Sequence, residues 1–392
     1  MGIGAVALVV VVVLLAKGLS GASGGADSPT AAVEQLAAAA RVEDPAAAIA
    51  LIDPDEARSL GTVYGKVRDA LRPSGVIQST GTVRGTHVAI QGLQLNAEEL
   101  SSDVAKVTIS GGTLSAAVQA SVLPAVFGVN TDSESRTDLG SASGPGGAGL
   151  FLMIRKQEGR WYISPTLTVL QYIVELHGLA QPDFSTLDSR NEAEGGASSP
   201  GQLASALAQA VSGSNVNGVL SLASEREASA VQPYSAALQE LVGRAGGSLQ
   251  AQVSAPQFTE TPLDSGLVRL NLVHAGFNVS IDGDESSQTI DGTLNGPCVN
   301  ASKTTDTGTS SSNKCFSHIH SLLGVGNYFV VAEHAAGGLR LAPIATVLEY
   351  ARLLVNHLGS TGIRRLLGTV TQEARARFSG SLSVQPQESW GG

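Results

Sequence analysis

Cysteine, lysine and aromatic side chains are all scarce in this chain of 392 residues: two cysteines, six lysines and 4% aromatics. Two cysteines cannot make a multi-disulfide scaffold or a four-thiolate zinc site. Lysine and arginine nowhere gather into a polybasic run, so no electrostatic membrane patch is offered. The net charge of −10 repels phosphate backbones, and no nucleic-acid partner is expected. Catalytic signatures are missing too: there is no Walker A sequence, no H-E-x-x-H and no C-x-x-C. GASGG (Gly21 to Gly25) fits a nucleophile elbow formally, but it lies in a Gly/Ser-rich tether. GPGGAG (Gly144 to Gly149) fits a dinucleotide fingerprint formally, but it precedes a strand and not a helix. No catalytic residue, cofactor or metal is expected.

What the chain does have is apolar bulk, 43% against 15% charged, over a length natural for two domains. Its first stretch, MGIGAVALVVVVVLLAK, is uncharged until Lys17. It lacks the cationic start and the cleavage site of a secretory signal. Residues 1–17 therefore read as a single-pass transmembrane anchor or an uncleaved signal, with the membrane as partner and the bulk of the chain extracytoplasmic. Residues 18–27 read as a flexible linker. Cys298 and Cys315 flank a polar stretch with no core-forming pattern; a bridge between them fits an oxidising exterior, and two unpaired thiols are the alternative. The nearby His318 and His320 would share a strand face, and with Cys315 and Cys298 they would make up four zinc ligands, yet the spacing fits no standard zinc site.

One stretch occurs twice. PTLTVLQY begins at Pro165 and PIATVLEY at Pro343, which places Thr168 with Thr346 and Tyr172 with Tyr350. Upstream, a shift of 171 residues lays Ser199-Pro200 on Ser28-Pro29, Leu222 on Leu51 and Glu227 on Glu56. Each block reads as helix–break–helix–break–helix, then period-2 text with Gly, Asn and Asp breaks, then the shared motif. The fold class expected is α+β, in two tandem repeats over 28–187 and 199–360, joined by a linker at 188–198. Each repeat places a helical N-terminal layer on a curved antiparallel sheet and ends in a closing helix. Thr and Tyr four apart share one helix face; the reading is that Tyr packs the helix on the sheet with its hydroxyl at the rim, against a ligand-binding role. Residues 361–392 read as a basic helix, with Arg364, Arg365, Arg375 and Arg377, and a disordered tail.

The helical layer, the meandering sheet and the hairpin Gly159-Arg160-Trp161-Tyr162 together resemble the NTF2-like (cystatin-like α+β) superfamily. More narrowly, they resemble tandem extracytoplasmic modules of single-pass actinobacterial membrane proteins. The second copy has Leu339 and Arg340 at the hairpin, and a helix after the last strand departs from the superfamily pattern. The resemblance implies a non-catalytic, membrane-anchored binding or scaffold protein of the bacterial cell envelope, holding an apolar ligand in its helix–sheet cleft or engaging an envelope protein. The alternative is a pocket enzyme of isomerase or dehydratase type, for which His87, Asp103 and His274 are the acid/base candidates.

Overall fold

A computed structural model of the chain describes residues 24–57 (except 43), 86–118, 133–187 (except 143, 145, 146 and 148), 196–244, 248–263, 266–282, 287–317 and 323–357 (except 355). The expected anchor at 1–17 and basic helix at 361–392 lie outside the described residues. Among the described residues no helix is long and apolar enough to cross a membrane.

Both sheets are antiparallel, one in each half of the chain, and the fold is mixed α+β. The first half opens with α1 (Pro29–Arg41) and α2 (Pro45–Ile49). Ser28 caps α1 from the position before Pro29, and Asp44 caps α2 in front of Pro45. The strands are β1 (Thr86–Glu99), β2 (Val104–Val118), β3 (Ser133–Asp138), β4 (Leu150–Gln157) and β5 (Arg160–Ile163). The helix α3 (Pro165–His177) follows, started by Ser164 and stopped by Gly178 in the left-handed region at φ 56°. β2 is the spine: β1 lies along one edge, while β4 and β3 share the other.

The second half has α4 (Pro200–Ser212), α5 (Val216–Leu222), α6 (Glu225–Val231) and α7 (Ser235–Arg244). Its strands are β6 (Ser248–Pro262), β7 (Leu267–Asp282), β8 (Ser287–Asn295), β9 (Cys298–Thr305), β10 (Gly308–Cys315), β11 (Tyr328–Ala335) and β12 (Gly338–Leu341). A closing helix, α8, runs over 343–354. β7 is again a spine, with β6 on one edge and β11 and β8 sharing the other. The second sheet has seven strands against five, and one of the two sheets curls into a half-barrel.

The centre of each sheet is covered on both faces. Val33, Leu51 and Ile52 pack on Ala105, Val107 and Ile154 from one side, and Leu167 and Val174 of α3 pack on Val104, Phe151 and Met153 from the other. In the second half Leu203 and Leu222 cover Val268 and Leu270, while Ala345, Tyr350 and Leu353 cover Phe329 and Val331. Period-2 text in β4 therefore reads as nearly continuous burial, because both faces are dry.

Two stretches expected as linker are partly built in. Ala26 exchanges backbone hydrogen bonds with Trp161, and Ala197 does the same with Leu339. Both are buried apolar residues that extend the sheet at its end. The segment between the cysteines, which carries no core-forming pattern, is a regular hairpin. β9 and β10 pair over their whole lengths, and the β8–β9 ladder ties them to the sheet. Backbone pairing and facing hydroxyls, such as Ser302 with Ser311 at 3.2 Å, hold what burial does not. The Cys298–Cys315 disulfide closes its base.

Candidate functional site

The repeated motif turns inward. Thr168 accepts a hydrogen bond from the Met153 amide at 2.9 Å and donates to the Ser164 carbonyl at 2.7 Å. Tyr172 accepts from the Phe151 amide at 3.0 Å. These β4 amides lie on the edge that β5 is too short to reach, since β5 pairs only from Ile154 onward. Spaced one turn apart, the two hydroxyls meet alternate strand amides, and the helix stands in for a missing strand. Thr346 and Tyr350 do the same to Val331 and Phe329, at 2.8 and 3.1 Å. The tyrosine hydroxyls are thus spent on backbone and not displayed at a rim. Each ring also stacks on a phenylalanine, Tyr172 on Phe151 at 4.0 Å and Tyr350 on Phe329 at 3.9 Å between centroids.

The N-terminus of each closing helix is held by a half-buried glutamate from the helical layer. Glu56 accepts from the Thr166 amide at 2.9 Å and from the Ser164 hydroxyl at 2.6 Å. Glu227 accepts from the Ile344 and Ala345 amides at 2.9 and 3.1 Å. Burial pushes both carboxyls up, against the lowering effect of those hydrogen bonds.

The two halves meet across a cleft of about 970 Å³. Asp55, Arg155, Lys156, Arg226, Glu333 and Arg340 are among its lining residues. Arg226 reaches Asp55 across it at 3.4 Å. Under the 171-residue shift Asp55 and Arg226 occupy matching positions, so like surfaces face each other with opposite charge. Behind the wall Asp53, only 1% exposed, accepts from Arg155 at 3.3 Å and from Gln157 at 3.0 Å. Burial raises its carboxyl, with Arg155 pulling the other way. Beside the cleft the halves are joined by apolar contact. Tyr234, 1% exposed, lies on α3 with its hydroxyl 3.3 Å from the Leu167 carbonyl and 3.2 Å from Gln171 Oε1. Arg244 donates to the His177 carbonyl at the end of α3, at 2.7 Å.

Comparison with family models, curated proteins and solved structures finds no match. The site is therefore read from its own chemistry. The acid/base candidates do not converge: His87 lies at the start of β1 opposite Ala117, Asp103 at the β1–β2 turn by the cleft, and His274 in the other half beside Asn295 at 2.6 Å. Cys298 and Cys315 are bonded to each other, and His318 and His320 lie outside the described residues. Among the described residues no cluster could hold a metal. Asp53 and Arg155 were not visible as a pair in the sequence, being 102 positions apart. The one signal was Glu227 falling on Glu56 under the shift.

Proposed function

We propose that this is a non-catalytic, membrane-anchored binding or scaffold protein of the bacterial cell envelope, with its bulk extracytoplasmic. In this reading it is a tandem duplication of an NTF2-like α+β unit behind an N-terminal anchor. The matching contacts support the duplication. Thr168 corresponds to Thr346, Tyr172 to Tyr350 and Ala26 to Ala197, each pair making the same bonds, and Glu56 corresponds to Glu227, the two sharing the bond from the second residue of the closing helix, Thr166 or Ile344. The β1 bulge between Gln91 and Gln94 also recurs in β6 between Ser254 and Gln257. The disulfide suits an oxidising compartment.

The observation that carries the binding reading is the cleft between the halves, with both signs of charge on its walls. Helices already fill both faces of each sheet core, so the apolar ligand expected from composition finds less support than a polar one. A protein segment bearing both charges suits such walls. A photoreactive residue at Ser221, inside the cleft, should give one discrete adduct in the native cell envelope, and Arg226→Glu should abolish it. Adducts equal in yield at the exposed Val169, on α3, would overturn the reading.

A further inference from the structure

The two halves differ most at the β9–β10 hairpin, which has no counterpart among the described residues of the first half. In an antiparallel sheet, directly paired residues share a face and chain neighbours alternate. The register therefore sorts the side chains of β7 to β10 into two faces. On one, Asn278, Asp291, Ser302 and Ser311 form a row, and Thr293, Asn300 and Asn313 form the next. The other face carries Phe277, Val279, Ile290 and Leu294, together with Lys303 and Lys314. A hollow of about 830 Å³ lies against the polar rows. Its walls hold amides and hydroxyls, a single carboxylate, Asp291, and the apolar Phe277 and Ala301, with no cation.

The matching surface of the first half, at β3, carries the exposed ion pair of Glu134 and Arg136 at 3.2 Å. The two sheets thus keep their cores and bulges and diverge in the chemistry of this surface. The absence of cations from its walls disfavours phosphate and carboxylate ligands. The absence of apolar side chains in the rows disfavours lipid. Spaced amides and hydroxyls, each able to donate and accept, match a ligand made of vicinal hydroxyls. The two rows run across the strands, so successive strands present donors at about 4.8 Å intervals. That spacing suits a chain of sugar units better than one compact molecule.

We propose that the polar face of β7 to β10 is a binding site for a neutral polysaccharide. The proposal is independent of the cleft and extends the binding role to a second ligand class. It is tested with the full chain in lipid nanodiscs, run through native gels containing dextran, a linear mannan or a galactan, with poly-glutamate as the anionic control. At least one neutral polymer should retard the protein, and the variant carrying Asn300→Ala and Asn313→Ala should lose that retardation at least tenfold. Lys303→Ala, on the opposite face, should leave it unchanged, and so should Arg226→Glu at the cleft. An intact Cys298–Cys315 bridge, read by mass, confirms that the double variant keeps its hairpin. Retardation by none of the polymers, by poly-glutamate alone, or undiminished in the double variant would overturn the proposal.

Discussion

At the scale of single residues, hydroxyls and backbone angles explain what the repeated text is for. Tyr172→Phe keeps the stack on Phe151 but removes the only side-chain oxygen recorded on that strand amide. A buried amide left unsatisfied costs about 1–3 kcal/mol. We expect a loss in that range for Tyr172→Phe and for Tyr350→Phe, read from the midpoint of urea unfolding. A second position carries strain. Ala255 sits in the β6 bulge at φ 45°, where the matching bulge in β1 has Gly92 at φ 61°. A left-handed alanine costs about 1–2 kcal/mol, partly offset by the entropy a glycine loses, so Ala255→Gly should stabilise the fold by about 0.5–1 kcal/mol. Protonation supplies a third expectation. Glu56 and Glu227 titrate above the ordinary glutamate value of 4.5 because they are buried. The folded chain then holds those protons more tightly than the unfolded one. Their contribution to stability is full below that ordinary value and is lost as pH rises through the raised one. Glu56→Gln should flatten the fall in unfolding free energy across that window; an unchanged pH slope would count against the burial of Glu56.

At the scale of elements, much was legible and the remainder has physical reasons. Ser-Pro starts, Gly178 and the apolar spacing of Leu167 and Val174 fixed the closing helix closely, because capping is local chemistry. The inward turn of Thr168 and Tyr172 was not legible. Their partners are amides on a strand that happens to outrun its neighbour, and edge lengths are set by tertiary pairing. The β9–β10 hairpin was missed for another reason. Its Ser, Thr and Asn residues show no apolar alternation, and its order comes from ladder bonds and one covalent clasp. Of the site, the glutamates were visible through the shift, whereas the cleft required the halves to be placed together. The clasp gives an expectation of its own. Tying residues 17 apart in sequence stabilises by about 3 kcal/mol. Reduction should raise amide exchange throughout β9 and β10 while the Val331 amide in the core keeps its protection. Equal loss in both regions would mean that the hairpin supports the core.

At the scale of the whole molecule, the halves are joined by a greasy contact beside a charged one. Tyr234 is the largest fully buried side chain among the described residues and belongs to the opposite half from the helix it covers. Tyr234→Ala should cost about 3–5 kcal/mol, the usual range for emptying an aromatic site. Ala237, Leu238 and Leu241 pack in the same cluster, so a single calorimetric transition at lower temperature is expected; a split into two would show that Tyr234 alone couples the halves. The sealed β4 and β11 edges have a consequence for assembly. A strand edge covered by threonine and tyrosine hydroxyls cannot recruit a strand from a neighbouring molecule. β10 is paired on one side only and exposed along its length. β1, β3 and β6 are also paired on one side only, so a polymer of this protein made by strand exchange would begin at one of these edges and not at β4 or β11, and a proline placed in β10 would suppress nucleation at the most exposed of them.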